Sequence, residues 1–288
     1  CSSLVDRIVP GKPDKAMQDS IEEKLGYHDD LLIMCEVYRL WAIEGDEKVR
    51  EKLSFAAADE GVVIAPDINL FRELKLRMLN GTHTLSCGLA FLAGYETVHD
   101  AMQDEKMAHF ISRLMLEEIG PSIPYPVEAQ KASAFGNQVL DRFRNPFIRH
   151  EWINITMQYS SKVKMRCVPL LLNYYKNNQS VPAHMALGFA AYLLFSKPLN
   201  KSGSSYFGSW KGRDYIINDD YAPYFYTKWQ SLSVRQLVDN VLSDSELWGA
   251  DLSTLPGFAD QVFQIINQLA EGEAPQLLLN LQKGQLSQ

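Results

Sequence analysis

Three polar side chains, Lys75, Asn80 and His83, lie within nine residues of a stretch rich in leucine and methionine. On an α-helix, at about 100° per residue, Asn80 is about 140° and His83 about 80° from Lys75, so all three fall on one side. Because burial disfavours the ammonium form, a desolvated lysine can serve as a general base near neutral pH. An amide and an imidazole can donate hydrogen bonds to a carbonyl oxygen that becomes an alkoxide. The spacing therefore predicts a proton-transfer site on one helix.

The same spacing also fits a structural interpretation. Lys75 can be a surface lysine whose aliphatic stem lies along the helix, with Asn80 and His83 as partners in a helix contact. Gly81 costs about 1 kcal/mol relative to alanine inside a helix, but it permits close approach of a ligand or a neighbouring backbone. Cys87 lies in so apolar a stretch that we expect a packed thiol rather than a nucleophile.

A second signal is a local reversal of charge between residues 141 and 167, where six basic residues face two acidic ones in a chain of net charge -7. The basic residues are Arg142, Arg144, Arg149, Lys162, Lys164 and Arg166. Such a cluster in an acidic protein suits an anionic small molecule such as a carboxylate. Arg142, Lys162 and Lys164 are the candidates for holding it. A solvated helix face that balances acidic neighbours is the alternative.

Several function classes are disfavoured. None of the 17 glycines forms a G-x-G pair, and the six histidines form neither H-E-x-x-H nor H-x-x-x-H, so we expect no dinucleotide loop within the chain and no metal site. The acidic net charge argues against nucleic acid and anionic membranes as partners. The longest aliphatic run, Ala186–Phe195, is too short to span a bilayer. Four scattered cysteines and no visible secretory signal predict a cytoplasmic location.

Helical periodicity dominates from about residue 71 onward. Apolar residues at i, i+3 and i+4 predict helices at Phe71–Ala93, Asp100–Ile119, Ala129–Phe143, Trp152–Asn177, Ala183–Ser196, Ser233–Ser243 and Pro256–Glu271. Residues 197–224, which contain several glycines and serines, are expected to form a long irregular loop.

The first 72 residues have a mixed pattern. Strands are predicted at Leu31–Ala42 and Gly61–Ile68, with a helix at Glu47–Ala58 between them. Two or three strands do not make a stable sheet alone, so we expect this segment to complete a sheet whose other strands lie elsewhere. The predicted fold is mainly α, with a helical domain at residues 73–288 after an α/β segment at residues 1–72.

Several motifs together resemble the mannitol dehydrogenase family of long-chain polyol dehydrogenases. They are Val-Asp-Arg-Ile-Val-Pro at residues 5–10, the Lys75-x4-Asn80-x2-His83 spacing, and Leu-Ala-Gly-Tyr-Glu-Thr-Val-His-Asp-Ala at residues 92–101. Residues 1–11, 64–69, 80–85 and 159–167 are similar to one branch, the tagaturonate reductases. The likeness runs across nearly the whole chain.

The resemblance implies a multi-helical domain like the C-terminal domain of 6-phosphogluconate dehydrogenase, and metal-independent hydride transfer between NAD and a sugar acid or polyol. In the family pattern the residue matching Lys75 is the general acid/base, and those matching Asn80 and His83 polarise the reacting oxygen. Asp6, within the Val-Asp-Arg signature, is assigned to the cofactor side.

Family members begin with a glycine-rich nucleotide-binding domain, and this chain opens at Cys1 without one. We therefore expect a fragment that lacks most of the NAD site, and that neither binds NAD tightly nor turns over alone. The substrate alternatives are mannitol, or fructuronate and mannonate. A non-catalytic helical module that kept the fold without the chemistry is the remaining alternative.

Overall fold

The structure, a computed structural model, describes residues 2–9 and 11–284. Cys1 and Pro10, which both belong to the sequence motifs above, lie outside the described residues. Contacts divide the chain into two compact units: the first runs up to Lys75 and includes Asn145–His150, and the second comprises Leu76–Arg144 and the residues from Glu151 onward. The boundary predicted from the sequence lies between residues 72 and 73. The predicted helical domain also includes residues 145–150, which the contacts assign to the first unit.

The first unit contains a three-stranded sheet, ordered β1 (Ser3–Asp6), β2 (Leu40–Glu44) and β3 (Val62–Ala65). Strand β1 is antiparallel to β2, and β2 is parallel to β3. A parallel pair needs a crossover connection. Helix α2 (Glu47–Lys52) and a 3₁₀ turn at Ser54–Ala58 provide it, where the sequence predicts a helix.

Two details of the first unit differ from the sequence prediction. The strand expected from Leu31 begins only at Leu40, and Leu31 and Val37 are 84% and 86% exposed, so their apolar character does not reflect burial in a strand. Helix α1 (Lys15–Leu25) was not predicted. The Asp14 carboxylate accepts a hydrogen bond from the Met17 N–H and so caps the start of this helix, none of whose residues is buried.

The chain from residue 69 onward is mainly α-helical, as predicted. Its helices are α3 (Asn69–Glu73), α4 (Asn80–Ala93), α5 (Val98–Gln103), α6 (Glu105–Arg113), α7 (Ala129–Phe143), α8 (Trp152–Ile155), α9 (Tyr159–Lys162), α10 (Val168–Asn177), α11 (Ala183–Phe195), α12 (Ala222–Ser231), α13 (Val234–Leu242), α14 (Ser245–Trp248), α15 (Phe258–Ala270) and α16 (Ala274–Gln282). Three π-helical segments interrupt them, at Leu74–Leu79, Leu114–Ile119 and Val163–Cys167. Within the described ranges, no helix is long and apolar enough to cross a bilayer.

The core of the second unit is built on α4 and α11, whose residues are buried almost throughout. A helix that is apolar on all sides is typical of a protein interior. Glycines let the two backbones approach: a Cβ on Gly188 would lie 2.5 Å from the Leu85 carbonyl oxygen, and one on Gly88 would lie 3.1 Å from that of Ala191. The helix that carries Asn80 and His83 is therefore held firmly by its neighbour.

The expectation of an irregular loop at residues 197–224 was wrong. Residues 200–216 form an antiparallel sheet of β4 (Asn200–Ser202), β5 (Ser205–Trp210) and β6 (Arg213–Ile216). Its two-residue turns contain Gly203 with φ 58°, and Lys211 and Gly212 with φ 49° and 79°. Positive φ at these positions produces the tight turns that hairpins prefer, so the glycines mark hairpin turns rather than a loop.

Candidate functional site

The helix that carries the predicted trio is not uniform. Lys75 lies in the π-helical segment Leu74–Leu79, whereas Asn80 and His83 lie in the first turn of α4. A π-helix closes its hydrogen bonds between residues i and i+5, so the step of 100° per residue does not hold across that segment. Lys75 is also the last residue of the first unit, and the other two belong to the second. The grouping of the three residues therefore remains a prediction from their spacing.

Lys75 is part-buried and its amine has a defined partner. The Nζ atom donates a hydrogen bond of 2.5 Å to the carbonyl oxygen of Val5 in strand β1. Asp6, the predicted cofactor contact, follows Val5 and is 2% exposed. In the first unit, the amine of Lys75 is thus anchored on the backbone of the strand that carries the Val-Asp-Arg signature.

His83 is 4% exposed and is enclosed by aromatic rings. Its imidazole stacks on Phe143, with ring centroids 4.1 Å apart and planes at 11°. Trp152 meets it edge-on, with centroids 5.9 Å apart and planes at 84°. These two rings, in different orientations, restrict the plane of the imidazole.

Asn80 is part-buried, and its backbone is tied to the turn above it. The hydroxyl of Thr84 donates to the Asn80 carbonyl oxygen over 2.7 Å. A Cβ on Gly81 would lie 3.4 Å from Leu170 Cδ1, an ordinary contact, so the neighbouring protein does not require glycine there.

Cys87 is fully buried, and burial raises the pKa of its thiol to about 12, which confirms the packed thiol expected from the sequence.

The three predicted substrate-binding residues lie in different environments. Arg142 is buried in the last turn of α7. The Lys162 ammonium donates to the carbonyl oxygen of Ile155 over 2.9 Å, while that of Lys164 donates to the carbonyl oxygen of Glu246 over 2.9 Å. Burial lowers the pKa of Lys162, and repulsion by Arg166 adds to that shift. Of the three, Lys162 is tied to α8, the helix that also presents Trp152 to His83.

The segment around Lys162 was predicted as one helix from Trp152 to Asn177 and is instead broken. Gln158 adopts a left-handed conformation with φ 52°, which separates α8 from α9. Its backbone N–H donates to the carbonyl oxygen of Asn218 over 2.8 Å. The Asp219 carboxylate caps α9 by accepting from the Ser160 N–H at 2.7 Å and from the Ser160 hydroxyl at 2.8 Å. This break sets the start of the short helix that ends at Lys162.

Sequence reasoning missed Arg77, which is 7% exposed and joins two of the π-helical segments. Its Nη1 atom donates to the carbonyl oxygens of Met165 at 2.7 Å and Arg166 at 3.1 Å. In an α-helix the Met165 carbonyl would accept from the N–H of residue 169, but that residue is Pro169 and has none. The proline is the signal in the sequence that could have indicated a carbonyl in need of another donor.

No group of three or more His, Cys, Asp or Glu side chains in residues 2–9 and 11–284 is placed to hold a metal ion. The second unit contains an imidazole in contact with two aromatic rings, an amide in the same helix turn, and part-buried cations on the adjoining segment.

Known proteins similar to this chain include a domain family and curated relatives. The profile of the mannitol dehydrogenase C-terminal domain matches residues 67–270. The altronate oxidoreductase of Halalkalibacterium halodurans is 36% identical over 279 residues, which cover 94% of this chain and 54% of that protein. The altronate oxidoreductase of Bacillus subtilis is 34% identical over 275 residues, covering 94% and 53%. The chain thus spans about half the length of the curated relatives it matches.

Two solved structures share the fold. One is Pseudomonas fluorescens mannitol 2-dehydrogenase in a ternary complex with NAD and D-mannitol, with a TM-score of 0.77, 23% identity, and coverage of 98% of this chain and 54% of that one. The other is a D-sorbitol dehydrogenase in substrate-free form, with a TM-score of 0.66, 19% identity, and coverage of 96% and 53%. At these identities the likeness establishes the architecture alone.

Proposed function

Because this chain belongs to the family defined by the mannitol dehydrogenase C-terminal domain, we propose that it supplies the substrate-binding half of an NAD-dependent enzyme that interconverts tagaturonate and altronate. The observation that carries the proposal is the identity of 36% and 34% to two altronate oxidoreductases over 94% of the chain. The part-buried cations near α4 support a substrate with a carboxylate.

The proposed chemistry of this chain is proton exchange at the reacting oxygen. In the direction of reduction, the Lys75 ammonium gives a proton to the oxygen of the ketone as its carbon gains a hydride. Asn80 and His83 donate hydrogen bonds to that oxygen while negative charge develops on it. The aromatic cage of Phe143 and Trp152 supports this role for His83, because it fixes the ring before the substrate arrives.

NAD is the proposed hydride carrier, but the described residues do not fit a complete site for it. The chain has no G-x-G turn to approach a pyrophosphate, and Asp6, the one predicted contact, is almost wholly buried. We therefore propose that NAD binds mainly to the part of the enzyme that matches the other half of the relatives.

The substrate preference of the intact enzyme tests the proposal. We expect kcat/KM for tagaturonate to exceed that for fructose by about 100-fold or more, because a neutral ketose leaves the carboxylate partners unpaired. Fructuronate, which keeps the carboxylate, should fall between the two. Steady-state rates of NADH oxidation with the three substrates provide the measurement. A kcat/KM for fructose equal to that for tagaturonate would contradict the proposed substrate class.

A further inference from the structure

Arg166 is a part-buried cation that has no acidic partner among residues 2–9 and 11–284. Its Nη1 atom donates to the Thr84 hydroxyl over 3.2 Å. Its Nε atom is buried and has no hydrogen-bond partner among the residues that the structure describes. Buried charges in proteins are usually paired, so an arginine in this state needs an explanation beyond the packing of the helix.

Lys162 stands four residues before Arg166 and adds a second positive charge. Its ammonium contacts only a carbonyl dipole, that of Ile155, among the hydrogen bonds of the described chain. Within the same residues, the hydrogen bonds of the two cations go to a carbonyl oxygen and a hydroxyl, not to a carboxylate. Burial lowers the pKa of both groups, and their mutual repulsion lowers that of Lys162 further. The Asp219 carboxylate acts in the opposite direction and raises the pKa of Lys162. This carboxylate already accepts a hydrogen bond from the Ser160 hydroxyl.

Both cations are attached to the elements that carry the candidate oxygen-binding residues. Arg166 reaches Thr84, which follows His83 on α4 and whose hydroxyl binds the Asn80 carbonyl oxygen. Lys162 reaches Ile155, the last residue of α8. Within the second unit, Arg166 is therefore hydrogen-bonded to the helix that carries Asn80 and His83, and Lys162 to the helix that carries Trp152.

We propose that Arg166, together with Lys162, binds the carboxylate of the sugar acid and determines the preference for an acid over a neutral polyol. The inference rests on the proposed function. A guanidinium presents two parallel N–H groups to a carboxylate, whereas an ammonium provides a point charge, so the two side chains are complementary. Lys164, another of the candidates predicted from the sequence, donates to the carbonyl oxygen of Glu246.

The first test compares altronate with altritol, the polyol in which CH2OH replaces the carboxylate, as substrates of the intact enzyme. We expect Arg166→Met to lower kcat/KM for altronate by about 100-fold while kcat/KM for altritol changes less than about threefold. Arg166→Lys, which keeps the charge but not the fork, should lose about tenfold for altronate. Arg144→Met is the matched control, because Arg144 belongs to the same basic run but is exposed and paired with Asp141; it should leave both substrates unchanged.

Equal losses for altronate and altritol would show that Arg166 only supports the fold, and no loss for either would show that the carboxylate binds elsewhere. Either result overturns the inference. If Arg166→Met does not fold, Arg166→Lys decides by the same ratio, since a tenfold loss confined to altronate supports the subsite and an unchanged ratio overturns it.

A binding measurement separates this inference from the proposed function. In the nitrogen-15 spectrum of the wild-type protein, altronate should shift the Arg166 Nε–H signal, and altritol at the same concentration should not. A shift in an enzyme that fails to oxidise altronate would uphold the subsite and refute the proposed reaction. Turnover of altronate without a shift would refute the subsite and leave the proposed reaction standing.

Discussion

At the scale of single residues, the site depends on how each polar group is held. The Lys75 amine donates a hydrogen bond to a backbone carbonyl of β1. The His83 ring stacks on Phe143 and meets Trp152 edge-on. A group that is fixed before the substrate binds loses little freedom on reaching the transition state. Under the proposed function, the amine would exchange this carbonyl partner for the oxygen of the substrate.

Replacement of Lys75 tests the proton transfer directly. In the intact enzyme we expect Lys75→Ala to lower kcat at least about 100-fold, because general acid–base catalysis by one side chain contributes on that order. The measurement is the steady-state rate of tagaturonate reduction, with the thermal unfolding midpoint as a check on folding. Lys131→Ala is the matched control, since Lys131 is an exposed lysine paired with Glu128 on the surface. A variant that keeps more than about a tenth of the wild-type rate would remove Lys75 from this role.

The sequence predicts the candidate residues better than it predicts their surroundings. Lys75, Asn80 and His83 are selected by type and spacing, which a sequence displays directly. The partners of Arg77 are not, because its hydrogen bonds join residues 88 and 89 positions apart. Arg166 lies in the basic run that the sequence reveals, but only the structure shows that its neighbours include no carboxylate.

At the scale of helices and strands, periodicity succeeds where an element is regular. The helices α4, α7, α11 and α15 lie where apolar spacing predicts them. The same spacing conceals the π-helical segments, because one additional residue in a turn changes the apolar pattern little. It also joins α8, α9 and α10 into one helix, since nothing in the apolar pattern marks the left-handed Gln158. The hairpins at residues 200–216 are not predicted, because glycine and serine in their turns are equally typical of an irregular loop.

The crossing of α4 and α11 gives a prediction at this scale. Gly188→Ala should lower the free energy of unfolding by about 1–3 kcal/mol, because its Cβ would lie 2.5 Å from the Leu85 carbonyl oxygen and the helices would have to separate. Urea denaturation provides the measurement. Gly81→Ala is the matched control: its Cβ meets only an ordinary contact, so the variant should be neutral or more stable by up to about 1 kcal/mol. Equal stability of Gly188→Ala and wild type would contradict the close crossing.

At the scale of the whole molecule, the two units differ in how much apolar surface they bury. The second unit has an extensive core around α4 and α11. The first has a sheet of three short strands, and its exposed apolar side chains include Leu31, Val37 and Phe147, each more than 80% exposed. Large exposed apolar side chains can mark surfaces that other protein covers. The completion of this sheet by strands outside the first 72 residues stays a prediction.

The 288-residue chain therefore offers a prediction about its cofactor. We expect it to bind NADH more weakly than the micromolar range, because it contains no glycine-rich phosphate turn and spans about half the length of its relatives. Titration of NADH fluorescence against the purified chain provides the measurement, with the intact enzyme as the positive control. A micromolar dissociation constant for the chain alone would contradict the assignment of the NAD site to the other half.

The guanidinium of Arg77 connects two of the π-helical segments, Leu74–Leu79 and Val163–Cys167. Arg77 lies two residues after Lys75, and its Nη1 atom donates to backbone carbonyl oxygens of the segment that bears Arg166. Because the two π-helical segments share this side chain, we expect a substitution of Arg77 to alter both of them. Under the proposed function, such a change would reach the segment that holds the carboxylate of the sugar acid.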